Sequence, residues 1–277
     1  MYKPVIHSYW LKSNFEYHRP IEILVDKFIN TPVSKNNIRI VIIQEPRKQG
    51  IIDAVKNKKN YDCYTYVFTY HQEILDNNDK AIHFLCAPTW IKGFNDFSKE
   101  FGVSTVVGGK DRDVMDGYSV RHALWQRQSD ILIPKDFYLS SAYKYKKGDY
   151  KNSLVLPEKM TSKSIMFGRE YHIAIENTNL RNAFSEKIVD CFRTKTIPIH
   201  YGTPNIGEFF NLVGIIVVNS VDDIIDVCNG LKPDMYKEKL SAVEDNYTRS
   251  EGYLSATEIL DKKLNEVLNN GKNIFKN

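Results

Sequence analysis

The sequence predicts an α/β protein of two doubly wound, Rossmann-like units facing each other across a cleft. Three observations predict it. Short apolar or β-branched runs alternate with helical segments along most of the chain, the pattern of parallel strands joined by crossover helices. The alternation lapses over residues 134–163, which are richer in Lys, Tyr, Ser and Pro, and then resumes. At 277 residues and 42% hydrophobic content, the chain exceeds a typical single domain and can fill two small cores. The expected division is therefore an N-terminal unit over 1–150 and a C-terminal unit over 151–277.

The elements follow in order. Ile38 to Gln44 (IRIVIIQ) is a continuous apolar run suited to a buried parallel strand, stopped at Glu45-Pro46. A short helix is expected over Ile51 to Asn57. Strands are expected over Cys63 to Thr69, Ala81 to Cys86 and Val103 to Val107. The last ends in Gly108-Gly109 and leads to a helix from Tyr118 to Gln128. Beyond residue 163, Tyr171 to Ile175 reads as a strand, and Ser185 N-caps a helix running to Thr194. Ile197 to Tyr201 is a strand closed by Gly202-Thr203-Pro204. Asn205 to Phe210 is a short helix, Gly214 to Val218 a strand, and Val221 to Cys228 a helix. Pro233 to Asp245 and Leu254 to Asn269 close the chain as helices.

Composition removes several functional classes. Aromatic residues make up 12% and the charged fraction is an ordinary 26%, which excludes disorder. The net charge of +4 is spread along the chain, with short clusters at Lys56-Asn57-Lys58-Lys59 and Lys144-Tyr145-Lys146-Lys147, so no nucleic-acid partner is expected. No run reaches the 18 or so apolar residues that span a bilayer, and Met1 to His7 lacks a signal-peptide core. Cys63, Cys86, Cys191 and Cys228 are widely separated, without zinc spacing, and read as buried free thiols. A cytoplasmic location, or a peripheral one at a membrane, follows.

Chemistry concentrates between residues 176 and 204. In a parallel α/β unit Glu176-Asn177-Thr178 lies at a strand's carboxyl end, and Ser185-Glu186-Lys187 lies at the N-terminus of the next helix. Both point into one crevice, where free N–H groups and the helix dipole favour an anion. Lys187 adds a point charge suited to a diphosphate, and Glu176 or Glu186 can accept bonds from sugar or ribose hydroxyls. The same residues also suit a plain N-cap with favourable charge. His200 follows a strand and reads as a local hydrogen-bonding residue. Tyr9, Trp10 and Tyr17 suit either stacking on sugar rings or core packing.

A resemblance sharpens this picture. Tyr171-His172-Ile173-Ala174-Ile175-Glu176-Asn177-Thr178, then Phe184-Ser185-Glu186-Lys187-Ile188, then Ile197 to Asn205 and Phe209 stand in order and spacing. Together they resemble the signature of the α1,3/4-fucosyltransferases, glycosyltransferase family 10, which reads roughly YKF-x-x-x-FENS, DYVTEKL and VPVxxGxPNxxxF. The likeness covers roughly residues 39–218 and is weaker in the N-terminal half. There Gln44-Glu45-Pro46 resembles the family's ESP-type segment, Val67 to His71 its TYR segment, and Ser119-Val120-Arg121-His122 its ARV helix. Two positions depart from the pattern: Phe184 stands where the family has Tyr, and Gly109 where it has Asn.

The resemblance implies a GT-B fold and an inverting, metal-independent transfer of a sugar, fucose first, from a nucleotide-diphosphate donor to a glycan hydroxyl. No cofactor is expected beyond the donor substrate, GDP-fucose or another nucleotide-sugar, and the second partner is an oligosaccharide acceptor. Glu45 is the implied general base, with His71 and His122 in or beside family segments. Arg121, Glu176, Asn177, Ser185, Glu186 and Lys187 are the implied donor site. Asp111-Arg112-Asp113 has the spacing of a metal-binding pair but no counterpart in the family, and is read as a solvated loop. Phe184 and Gly109 keep open another donor, such as UDP-xylose or a UDP-hexose. A non-catalytic carbohydrate- or nucleotide-binding module is the alternative of another class.

Overall fold

Ile38–Ile43 (β3) runs through the middle of a five-stranded parallel sheet, and its apolar character, interrupted only by Arg39 paired with Glu22, follows from that place. Val5–His7 (β1), Ile21–Val25 (β2), Tyr66–Thr69 (β4) and Ala81–His83 (β5) complete the sheet in the spatial order β1-β2-β3-β4-β5. Val41 and Ile43 cluster with Ile52 and Val55 of Gln49–Lys56 (α1) and with Ile74 of Gln72–Asn77 (α2). Ile40 and Ile42, which alternate with them, cluster with Phe68, Phe84 and three leucines near the C-terminus, Leu260, Leu264 and Leu268. These belong to Ala256–Leu264, the last α-helix, and the turn after it. The computed structural model describes residues 1–46, 48–91, 93, 97–108, 116–140, 154–156 and 160–269.

The second sheet is built from Glu100–Val107 (β6), Lys135–Leu139 (β7), Leu154–Val155 (β8), Arg169–Ile175 (β9), Ile197–Tyr201 (β10) and Ile216–Val217 (β11). All its pairings are parallel, in the order β11-β10-β9-β6-β7-β8. Counted from β6, the strands run outward one way to β8, then return to β9 on the other side of β6 and run outward to β11. This is the doubly wound order with a topological switch point between β6 and β9. Tyr171, Ile173 and Ile175 point to one face, against Leu124 and Trp125 of Asp116–Gln126 (α3) and Ile224 and Cys228 of Val221–Gly230 (α5). Ala174 points to the other, with Cys191 of Glu186–Arg193 (α4), Met166, Phe167 and Ile91.

The two compact units divide elsewhere than at residue 150. The first comprises 1–88, 181–183 and 253–277; the second comprises 89–180 and 184–252. The Val103–Val107 run and the helix after it therefore belong with the C-terminal strands, because β6 pairs directly with β9. The stretch 134–163, where the alternation lapses in sequence, contains β7 and β8. β7 opens with the polar pair Lys135-Asp136, which masks its strand pattern, and Asp136 is polar for a reason: its carboxylate accepts from Arg169 Nε at 2.6 Å across the sheet. The return of the chain end to the first unit follows from Leu260, Leu264 and Leu268, one apolar stripe at helical spacing. Asp261 fixes the same helix by accepting from the Ser13 hydroxyl and from Asn14 N at 3.0 Å.

Expected elements otherwise fall within a few residues of those observed, except that residues 58–63 form a 3-10 turn before β4. Met235–Glu238 (α6) and Leu240–Arg249 (α7) split the segment expected as one helix, and Ala256–Leu264 is α8. Cys63, Cys191 and Cys228 are buried free thiols, and Cys86 is half-buried and free. No described helix is long and apolar enough to cross a membrane. Gly109, Asp111 and Asp113, and the Lys144–Lys147 cluster, lie outside the described residues.

The start of α3 lies directly against the backbone at the end of β9. Gly117, in the first turn of α3, donates its N–H to Asn177 O at 3.2 Å, just past the last residue of the strand. A Cβ there would collide with the Glu176 carbonyl oxygen and stand 2.8 Å from its carbon and 2.9 Å from that of Asn177. Those atoms are backbone and cannot swing aside. Gly117→Ala is expected to destabilise the fold by about 1–3 kcal/mol, although alanine is the better helix former. A thermal melt should show a midpoint lowered by roughly 5 °C; an unchanged midpoint would mean that α3 does not press on this turn.

Candidate functional site

The end of β9 is held by a carboxylate. Glu176 N–H continues the ladder to Tyr201 O at 2.8 Å, and the side chain then turns back into the protein. One Glu176 oxygen accepts Ser185 N–H at 2.9 Å and the other accepts the Ser185 hydroxyl at 2.7 Å. Ser185 caps α4 in turn, accepting from Lys187 N at 3.3 Å and from Lys187 Nζ at 3.0 Å. Gly202, at φ +150° in the turn after β10, makes room for this: a Cβ there would lie 2.7 Å from Glu176 Cβ. Glu176 is thus buried behind the helix terminus and positions it.

Arg121 closes the other side. It is only 7% exposed. Its guanidinium donates to Ile175 O from Nε at 3.1 Å and from Nη2, and to Asn177 Oδ1 at 2.8 Å, with its charge 5.1 Å over the Tyr118 ring. Burial works against the arginine charge, while Glu176 and Tyr118 work for it. Lys187 lies 3.2 Å from Glu186 and 3.8 Å from Glu176. Burial opposes its charge too, but the two carboxylates outweigh it and hold the ammonium above its usual range. Burial likewise resists ionisation of Glu186, and Lys187 overrides it, holding the carboxyl below the usual carboxylate range.

These groups open on one cavity of about 470 Å³ in the second unit. Its wall includes Val106 at the end of β6, Gly108 just after it, and Ala174, Ile175 and Asn177 at the end of β9, so it sits at the switch point of the sheet. Of the expected donor-side residues, Arg121, Asn177, Glu186 and Lys187 line it, whereas Glu176 and Ser185 stand behind them as supports. Phe184 does not line it. That side chain is buried in an aromatic cluster, edge-on to Phe209 at 5.1 Å and Phe210 at 5.4 Å. The substitution at this position therefore bears on packing.

Glu45 lies in the first unit, in the exposed loop after β3. Asp26, in a left-handed conformation at φ +49°, shapes the loop by accepting Gln44 N–H at 2.9 Å and Glu45 N–H at 3.0 Å. His71 follows β4, and burial holds its pKa below the usual histidine value. His200 is fully buried and accepts Thr203 N–H at 3.2 Å, bracing the Gly202 turn, with burial pushing it down to about 4. Tyr17 is a core residue whose hydroxyl donates to Leu268 O at 3.2 Å, while Tyr9 stands 97% exposed.

A comparison with protein-family models gives no match, and neither does one with curated protein sequences. Solved structures do match. An α1,3-fucosyltransferase with GDP-fucose is 16% identical with a TM-score of 0.51, over 88% of this chain and 76% of that one. A TarM mutant from S. aureus, in complex with fondaparinux, α-GlcNAc-glycerol and UDP, is 16% identical with a TM-score of 0.56, over 89% of this chain and 55% of that one. Sucrose-phosphate synthase from Thermosynechococcus elongatus is 9% identical with a TM-score of 0.60, over 91% and 74%. The fold is GT-B.

Within this GT-B fold the cavity also holds residues that sequence reasoning passed over. Asp190, one turn after Glu186 on α4, is buried and lines it. Its Oδ1 accepts the Thr89 hydroxyl at 2.5 Å and Trp90 N–H at 2.9 Å, tying the 89–91 segment to the helix. A signal existed: an aspartate within Ile188-Val189-Asp190-Cys191-Phe192 stands among residues that are all buried. Trp90 and Lys163 line the cavity too, the Lys163 ammonium 3.4 Å from the Trp90 ring centroid. Neither belongs to a motif. His172 lines its inner end, neutral because burial pushes it down to about 3, with Nδ1 2.8 Å from the Ser104 hydroxyl.

Burial pushes Asp190 up to about 7 from an ordinary 3.8, against the hydrogen bonds from Thr89 and Trp90. Between those values the folded chain holds more protons than the unfolded one. The contribution of Asp190 to stability is therefore full below about 3.8 and is lost as pH rises through about 7. Asp190→Asn keeps the acceptor for Thr89 and Trp90 and removes the titration. Between pH 4 and pH 8 the variant is expected to gain on the wild type by on the order of 2–4 kcal/mol in denaturant unfolding. A difference that does not change with pH would show that Asp190 titrates normally.

Proposed function

We propose that this chain is an inverting glycosyltransferase that moves a sugar, fucose first, from a nucleoside-diphosphate donor to a glycan hydroxyl without a metal. The observation that carries the reading is the cavity at the β6–β9 switch point, where Arg121, Lys187 and the capped N-terminus of α4 converge. Two cations and a helix terminus suit a diphosphate, and Asn177 and Glu186 supply acceptors for ribose or sugar hydroxyls. The GT-B fold, and the likeness to a fucosyltransferase solved with GDP-fucose, agree with it.

In this reading the acceptor oxygen attacks the anomeric carbon as its proton passes to the Glu45 carboxylate. The bond from that carbon to the diphosphate oxygen breaks, and the nucleoside diphosphate leaves with the electron pair. Arg121 and Lys187 stabilise the charge that develops on the leaving oxygens. A UDP-sugar donor is the second reading, favoured by the likeness to the TarM structure that contains UDP.

Calorimetric titration with GDP, UDP, GDP-fucose and UDP-xylose in EDTA is the direct test. Selective binding of the GDP pair supports fucosyl transfer, and selective binding of the UDP pair moves the donor. Binding of none of the four would overturn the donor-site assignment. Glu45→Gln is expected to slow transfer by roughly 10²–10⁴-fold with donor affinity unchanged; undiminished turnover would remove Glu45 as base. Turnover lost in EDTA and restored by Mn²⁺ would overturn the metal-free mechanism.

A further inference from the structure

The cavity holds a third cation whose state differs from the other two. Arg121 is spent largely on Ile175 O and Asn177, and Lys187 is paired with Glu186 and Glu176. Among the described residues, Lys163 has no carboxylate at ion-pair distance from its ammonium. It rests instead on the face of Trp90, with Nζ 3.4 Å from the ring centroid. Lys163 is half-buried, and burial holds its pKa below the usual lysine value although Glu186 and Asp190 act to raise it. An ammonium so placed has given up much of its water without a carboxylate of the described residues as an ion-pair partner.

Its resting place is firmly made. Asp190 accepts Trp90 N–H at 2.9 Å and the Thr89 hydroxyl at 2.5 Å, and Thr89 Oγ1 takes Ile91 N–H at 3.0 Å. Trp90, 37% exposed, is thereby fixed at the cavity wall. A cation on an aromatic face is held more weakly than one in a charge-assisted hydrogen bond to phosphate. A flexible lysine can exchange the first for the second without moving the backbone.

We infer that Lys163 is an anion ligand of this cavity, parked on Trp90 when the site is empty and drawn onto the phosphate oxygens of a diphosphate when one binds. The inference deepens the proposed donor site and rests on that reading for the identity of the diphosphate. It assigns to a residue outside every sequence motif a share in holding the leaving group, and it makes Trp90 a reporter of occupancy.

The test is calorimetric titration of the full chain and of Lys163→Met, Lys163→Arg and Lys187→Met with GDP, UDP and inorganic pyrophosphate, with tryptophan emission followed in parallel. Lys163→Met is expected to weaken binding of the nucleotide that the wild type takes by about tenfold, the worth of one charge-assisted hydrogen bond. It should also flatten the salt dependence, and Lys163→Arg should recover most of the affinity. Ligand addition should change the emission of the wild type but not of Trp90→Phe. If Lys187→Met weakens binding and Lys163→Met does not, the inference fails while the donor site stands. If pyrophosphate binds in a Lys163-dependent way but neither nucleotide does, the nucleotide-sugar reading fails while the inference stands. If no ligand binds the wild type, both fail.

Discussion

The second unit depends on where one carboxylate goes. Glu176 leaves β9 and turns back to take both the N–H and the hydroxyl of Ser185, which fixes the start of α4 against the end of the strand. Two glycines make the arrangement possible: Gly117 lets α3 press on the Glu176 carbonyl, and Gly202 lets the turn after β10 pass beside the side chain. Arg121 then clamps the same turn from α3 through Ile175 O and Asn177. A buried carboxylate and a buried guanidinium are costly alone. Here both Glu176 oxygens accept hydrogen bonds, Nε and Nη2 of Arg121 donate them, and the Glu176 carboxylate favours the arginine charge.

This bracing has a consequence for chemistry. Residues that resemble a ligand set in sequence divide into two tiers in space. Glu176 and Ser185 hold the helix terminus, and Arg121, Asn177, Glu186 and Lys187 face the cavity. The order of the sheet decides where that cavity lies. Because the chain returns from β8 to lay β9 beside β6, the connections after these two strands diverge and leave a crevice between them. The first sheet runs from β1 to β5 without such a reversal.

The charge inside the cavity is finely divided. Arg121, Lys163 and Lys187 meet Glu186 and Asp190, and Asp190 is raised by burial to about 7. Its carboxylate accepts two bonds from the 89–91 segment, so one side chain both tunes the local charge and fixes Trp90. The aromatic wall and the charged wall are thus mechanically joined through α4.

The sequence by itself determined the α/β class, most strands and helices, the N-cap at Ser185 and the clustering of Glu176 to Lys187. These rest on local patterns: apolar runs, capping chemistry and the spacing of one strand and the next helix. Only the tertiary structure decided that β6 and β7 join the C-terminal strands, because strand partners are chosen by long-range packing and leave no local mark. Lys135-Asp136 hid β7, since the polar pair is explained only by Arg169 on a distant strand. Leu260, Leu264 and Leu268 could be read as an apolar stripe, but not as the cover of the first sheet. Trp90 and Lys163 stand 73 residues apart by number and meet only because a folded wall brings them within 3.4 Å.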